Sequence, residues 1–286
     1  MVSRRRALAA IGGALLFPSF AEAGDDRIAI IDWAALETAL ALGLVPVAAT
    51  ELKQYRRIAI EPVVPESVED LGLRGTPNYE LLSMLAPDLI LSSNFYEAMR
   101  GNLERVAPVL SLPVYGTGES PYRRAEAVAL VLGERLGRID AAERLVSGGG
   151  DLLEGIRGDL DGRNGRPVFV ISLGDARHFR AFGGDSMFGE VLERLGFRNA
   201  WKAGSRYSAT APVGIEALAE VPDAIVAIVG PVPPDARQAL SGGAIWRALP
   251  MVRDRRILRL PPVNHFGGLP AALRFGRLFA DAVLHV

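Results

Sequence analysis

The 286-residue chain contains no cysteine, only three histidines, 7% aromatic residues and no excess of charge of either sign. Without cysteine there are no disulfides, no thiolate metal sites and no cysteine nucleophile. His178, His265 and His285 are the only histidines, so a three-histidine zinc site would have to include the penultimate residue. The formal net charge is −1, and it becomes −3 once residues 1–23, with their three Arg and one Glu, are set aside. A surface so close to neutral lacks the cationic field that holds a phosphate backbone, which excludes nucleic acid as a partner. At 49% hydrophobic and 23% charged, the composition also excludes a disordered chain. The length suits one large domain or two lobes, each with its own core.

The apolar run Ala7–Phe20 is shorter than the roughly 20 residues of a membrane span. It follows Arg4-Arg5-Arg6 and ends at Ala21-Glu22-Ala23, the layout of an export signal over residues 1–23 with a mature chain from Gly24. Ser3-Arg4-Arg5-x-x-Leu8 has the order of a twin-arginine signal, and with no Cys after it a lipid anchor is excluded.

Extended and helical patterns then alternate. Arg27–Ile31, Val45–Ala48, Val68–Leu73, Leu89–Leu91 and Val109–Pro113 read as extended, and Trp33–Gly43, Thr76–Leu85 and Glu97–Val106 as helical. The rhythm resumes after Arg166. Strands are expected at Val168–Ser172, Ala224–Val229 and Ile257–Leu260, and helices at Met187–Leu195, Ile215–Glu220, Ala236–Leu240 and Leu269–Leu284. Such alternation predicts βαβ units and largely parallel sheets. Between the two α/β halves, Pro121–Leu160 reads as helical, with Ser147-Gly-Gly-Gly150 expected to kink or break it. Ala86-Pro-Asp-Leu-Ile90 and Val221-Pro-Asp-Ala-Ile225 form a weak internal repeat, consistent with two lobes of similar topology.

Catalytic signatures are missing. Neither Gly-x-Gly-x-x-Gly nor a Walker A pattern follows a strand, and Gly-x-Ser-x-Gly and His-Glu-x-x-His do not occur. Asp175 and His178, in Gly174-Asp-Ala-Arg-His178, would be the acid–base pair of an exported α/β enzyme, the competing reading. No nucleophile context accompanies them, and a hydrogen-bonded loop is the expected role.

Four stretches carry a resemblance. They are Asp70-Leu-Gly-Leu-Arg74-Gly-Thr-Pro-Asn78-Tyr-Glu80 with Pro87-Asp-Leu-Ile-Leu91, Asp175–Phe179 through Phe182-Gly-Gly-Asp-Ser186-Met-Phe188-Gly-Glu190, Asn199-Ala-Trp201, and Trp246–Pro250 with Val252–Arg256. Together they resemble the ferric-siderophore and vitamin B12 binding proteins of ABC importers, and most of all the ferric-hydroxamate binding type. The resemblance implies a bilobed α/β periplasmic binding protein and no catalysis. Its parts are an export signal (1–23), an N-terminal lobe (24–138), one long connecting helix (139–161) and a C-terminal lobe (162–286).

By the same resemblance, Arg74 and Tyr96 hydrogen-bond the oxygens around the iron in a shallow cleft, and closure is small. Trp33, which opens an amphipathic helix, is a further candidate to line the cleft or else part of the core. Where the family places pocket aromatics, this chain has Ile58, Ser208 beside Tyr207, Asn264 and Phe266, so a roomier and more polar cleft is expected. A chelate that already fills the iron's coordination sphere needs donors and not metal ligands, so neither a protein-bound metal nor a cofactor is expected. Cobalamin or haem remains an alternative ligand, with His265 or Tyr96 as the axial ligand for haem. The implied partner is an inner-membrane ABC permease dimer, docked through Glu216 on the second lobe and Glu97 or Glu104 on the first. The protein itself is expected to be a periplasmic monomer.

Overall fold

The computed structural model describes residues 27–205 and 212–285. The expected export signal and the Tyr207–Ser208 pair lie outside these residues. In the first half, β1 (Ile28–Ile30), α1 (Trp33–Ala41), β2 (Ala48–Ala49), α2 (Leu52–Ile58), β3 (Glu69–Asp70), α3 (Tyr79–Met84), β4 (Leu89–Ser92), α4 (Arg100–Leu103) and β5 (Val109–Ser111) follow one another. The strands form one parallel sheet in the order β3-β2-β1-β4-β5. Then come α5 (Pro121–Arg135) and α6 (Ile139–Asp159).

The second half runs β6 (Val168–Leu173), β7 (His178–Ala181), α7 (Met187–Arg194), β8 (Val213–Gly214), β9 (Ile225–Gly230), α8 (Pro234–Gly242), α9 (Ala244–Ala248), α10 (Pro250–Arg253), β10 (Ile257–Pro262) and α11 (Leu269–Leu284). Its sheet has the order β10-β9-β6-β7-β8. It is parallel only from β10 to β6, because β7 folds back antiparallel on β6 and β8 on β7.

Several expectations shift in detail. The helix expected from Thr76 starts at Tyr79, because the Asn78 side chain accepts the Leu81 N–H at 3.0 Å and caps it there. The helix expected over Glu97–Val106 is a 3₁₀ segment, Asn94–Met99, and the single turn of α4, where Gly101 and Asn102 are poor helix formers. Ile215–Glu220 is likewise 3₁₀.

The expected break at Ser147–Gly150 does not occur, and α6 runs unbroken for 21 residues, about 31 Å at 1.5 Å per residue. Packing explains it. Gly149 is buried, and a Cβ there would sit 3.2 Å from both Leu273 methyls and 3.6 Å from the Tyr122 hydroxyl. The glycine lets α6 come close to α5 and α11, and that contact offsets its poor helix propensity.

Strand residues alternate between two layers. Ile28, Ile30, Val168 and Val170 face a central core that also holds Trp33, Leu36, Leu153, Phe188, Phe275 and Phe279. Ala29, Ile31 and Ile90 face an outer cluster on the first half, and Phe169, Ile171, Val226 and Ile228 face another on the second. Burial of both faces explains why these strands read as unbroken apolar runs. α11 lies in the central layer, where Phe275 stacks on Phe188 at 4.4 Å and Phe279 meets Phe197 edge-on at 5.0 Å.

The close approach of α6 is testable by glycine replacement. Gly149→Val should destabilise the protein by about 1–3 kcal/mol through overpacking. Gly150→Ala, at an exposed position with nothing within 4 Å of the added Cβ, should stabilise it by about 0.5–1 kcal/mol. Urea denaturation midpoints of the two variants check both signs.

Candidate functional site

Parallel strands release their loops along one edge, and four loops of the first sheet meet there. Asp32 follows β1, Glu51 follows β2, Arg74 follows β3, and Phe95 and Tyr96 follow β4. From the other half, Phe266 arrives four residues after β10. Asp32, Trp33, Arg74, Phe95, Tyr96 and Phe266 line a cleft of about 280 Å³.

Asp32 sits buried at its floor. One carboxylate oxygen accepts the Ala34 and Ala35 N–H groups at 2.8 and 3.2 Å and so caps α1, while the other accepts the Ser93 hydroxyl at 2.9 Å. Burial pushes this carboxyl upward, against the pull of those hydrogen bonds and of Arg74. The Arg74 guanidinium lies 4.1 Å from the centre of the Trp33 ring, a cation–π contact, and its Nε donates to Glu51 at 2.9 Å. Burial, with Asp32 and Glu51 adding to it and Arg74 opposing, pushes the Tyr96 phenol up to about 12. Tyr96 is therefore an O–H donor at any physiological pH, beside a permanently charged donor fork.

The apolar wall is built across both halves. Phe95 stacks on Tyr115 with centroids 6.3 Å apart and meets Phe266 edge-on at 5.6 Å, and Tyr115 meets Phe266 at 5.5 Å. His265 lies behind Phe266, its ring 4.7 Å from that of Phe266 and 5.6 Å from that of Phe182. Burial, with Arg180 and Arg74 nearby, pushes its imidazole down to about 4, so it is neutral.

The loop bearing these residues is tied to α1. Glu37, fully buried, accepts the Asn264 side-chain amide and the Gly268 N–H, both at 2.8 Å. The Tyr115 hydroxyl donates to the Gly267 carbonyl at 2.6 Å. Asn264 is 4% exposed, and its side-chain oxygen accepts the Phe266 N–H at 3.1 Å. Both ends of its side chain are engaged within the protein, where Asn264 supports the cleft loop. Ile58 ends α2 and packs against the central core.

The remaining candidates are scattered. Glu97 and Glu104 flank Arg100 at 3.5 and 2.7 Å and share its charge, and Glu216 is exposed at the start of its 3₁₀ turn. Asp175 accepts the Arg177 and His178 N–H groups and the His178 ring, closing the β6–β7 turn as a structural loop. A groove of about 360 Å³ at the far ends of β9 and β10 is rimmed by Arg163, Arg166 and Arg256. The Arg256 fork there donates to the Ala224 and Pro222 carbonyls, closing loops. Among the described residues no group of three His, Asp or Glu is arranged to hold a metal.

Sequence reasoning missed Asp32, Phe95, Tyr115 and the Glu37 tie. Asp32, directly before the first residue of a helical pattern, had the signal of an N-cap. Phe95 and Tyr115 carried none, since a lone aromatic in an apolar context reads as core.

A donor pair and aromatic faces, gathered where two α/β halves meet, define a bilobed solute-binding protein. The family model described as "Periplasmic binding protein" matches residues 28–263, and the chain belongs to that family. It is 31% identical to the iron(3+)-hydroxamate-binding protein FhuD of Escherichia coli over 288 aligned positions, covering 99% of this chain and 97% of that protein. It is 21% identical to the Fe(3+)-citrate-binding protein YfmC of Bacillus subtilis, over 81% of this chain and 71% of that one. Its fold matches the crystal structure of the Fe3+–Desferal-bound siderophore binding protein FhuD of Vibrio cholerae with a TM-score of 0.86 and 24% identity, over 91% of this chain and 98% of that one. These relatives are binding proteins, and the chain is a binding protein and not an enzyme.

The Glu37 tie has a pH signature. Burial, partly opposed by the bonds from Asn264 and Gly268, pushes this carboxyl from 4.5 up to about 8. Between those values the folded protein binds a proton that the unfolded chain has lost, so stability falls as pH rises from about 4.5 to about 8. Glu37→Gln removes the titration. Its melting temperature should decline less than that of the wild type between pH 5 and 8, as measured by thermal melts across that range.

Proposed function

We propose that the protein captures a ferric siderophore of hydroxamate type outside the cytoplasm and delivers it to an ABC permease of the inner membrane. The observation that carries this is the convergence of the Arg74 fork and the Tyr96 hydroxyl in one cleft beside the Trp33, Phe95 and Phe266 rings. Iron-bound hydroxamate oxygens are acceptors with no further metal site to fill. A charged fork and a neutral hydroxyl recognise them, and the rings take up the apolar ligand body. A cleft of about 280 Å³ lies just below the ~300–1,000 Å³ usual for ligand pockets, which suits the iron-bearing head with the rest of the ligand outside. The 31% identity to a protein named for iron(3+)-hydroxamate binding supports the same choice. The iron enters as part of the ligand, not as a cofactor.

The same reading takes residues 24–138 and 162–286 as the two lobes and 139–161 as the connector, of which α6 forms nearly the whole length. It takes residues 1–23 as the export signal, the periplasm as the compartment, a monomer as the working form and a permease dimer as the partner.

Titration with a ferric trishydroxamate, ferric citrate, cobalamin and haemin, followed by intrinsic tryptophan fluorescence, tests the ligand. Saturable quenching by the trishydroxamate with a Kd near 1 μM or below, about −8 kcal/mol, is expected. Losing a charge-assisted hydrogen bond costs about 1.5–3 kcal/mol, so Arg74→Ala should weaken binding at least about tenfold with an unchanged circular dichroism spectrum. No response to the trishydroxamate refutes the reading.

Docking is tested separately by reversing Glu216 to Arg together with Glu97 or Glu104. Ligand affinity should be untouched and uptake abolished, because like charges would then meet at the permease surface. Affinity and uptake falling together, or neither changing, removes these residues from the docking face.

A further inference from the structure

Glu51 does not line the cleft, yet its conformation is unusual for what it is. It stands at the N-cap of α2 with φ of +51°, in the left-handed region that side chains other than Asn and Asp rarely adopt. A helix cap does not account for it, because the Glu51 side chain makes no bond to α2. The Leu52 N–H is taken by Asp70 instead, at 3.1 Å.

The carboxylate of Glu51 turns to the loop after β3. One oxygen accepts the Arg74 backbone N–H at 3.1 Å and the other accepts Arg74 Nε at 2.9 Å, while the Glu51 N–H donates to the Gly72 carbonyl at 2.8 Å. With side chains 27% and 17% exposed, the Arg74–Glu51 pair is only partly screened by water. The neighbouring Thr50 carbonyl accepts the Trp33 indole N–H at 3.0 Å, and the Arg74 guanidinium lies over that indole ring at 4.1 Å. Two consecutive residues thus hold ring and fork against each other. Of the five guanidinium N–H groups, the one on Nε is bound to Glu51, and the fork also hydrogen-bonds the Tyr96 side chain, so Arg74 is held between the β2 and β4 loops.

We propose that Glu51 is the positioning residue of this cleft, fixing the plane and direction of the Arg74 fork at the expense of its own backbone conformation. The inference rests on the ferric-chelate reading above. Glycine occupies the left-handed region without strain, so Glu51→Gly should leave the melting temperature at or above that of the wild type. Its affinity for an uncharged ferric trishydroxamate should nevertheless fall about tenfold, because an unrestrained long side chain must be ordered by the ligand itself. Glu51→Gln, which keeps one acceptor, should lose less. A residue that stabilised the fold and nothing more would not separate affinity from stability in this way.

The deciding measurement is a double-mutant cycle of Glu51→Gly with Arg74→Ala, read as Kd for the trishydroxamate. If Glu51 acts through Arg74, its replacement in the Arg74→Ala background costs no further affinity. Additive losses, or unchanged affinity in Glu51→Gly, overturn the proposal while leaving the ligand reading intact. A wild-type protein that binds no trishydroxamate overturns both.

Discussion

Glu37 places a carboxyl group in the apolar layer between the two sheets, and the wall of the cleft contributed by the second half depends on how it is matched. Taking a carboxyl group out of water, even protonated, costs about 1–3 kcal/mol for each polar atom left unmatched, unless donors replace the lost solvent. Asn264 and Gly268 supply those donors, and the chain between them must therefore curl around the α1 carboxyl. The curl is tight: a Cβ on Gly267 would lie 2.4 Å from a Glu37 oxygen, so only glycine fits. Phe266 projects from the same turn. Its place against Phe95 and Tyr115 follows from a polar contact made on the other side of the loop.

The cleft divides its work between two kinds of surface. The first sheet contributes the polar groups, because its parallel strands deliver Asp32, Arg74 and Tyr96 to a common edge. The junction with the second half contributes much of the apolar surface. Between the halves lies a layer of long helices in which α6 and α11 pack against each other, with Leu153 and Phe275 in one continuous core. Ser120 donates to Glu190 at 2.6 Å, and Arg277 reaches Glu61 at 3.2 Å, adding polar ties to that layer. A continuous core resists being opened and closed.

The βαβ rhythm was legible because apolar runs, Pro-Asp turns and helix caps are local signals. The strands at Leu89–Ser92 and Ile225–Gly230 and the helix Leu269–Leu284 appear close to where the pattern put them. Arg74, Tyr96 and Phe266 were legible through their family match and Trp33 through its place at the start of the first helix, and the structure brings all four to one cleft. The role of Asn264 was not, since its partner Glu37 is 227 residues away. The continuity of α6 through three glycines was hidden for the same reason. Propensity counts the cost of Gly149 within the helix, but the space it leaves for Leu273 lies on another helix.

The sequence by itself determined the kind of protein: two α/β halves with a helical link between them, and no catalytic signature. Those properties rest on residue type and on spacings of a few residues. Only the tertiary structure decided which side chains line the cleft and which support those that do. Glu51 against Arg74 and Glu37 against Asn264 are contacts between segments 23 and 227 residues apart. Burial and charge matching settle such contacts once the chain has folded, and neither is a local property of the sequence.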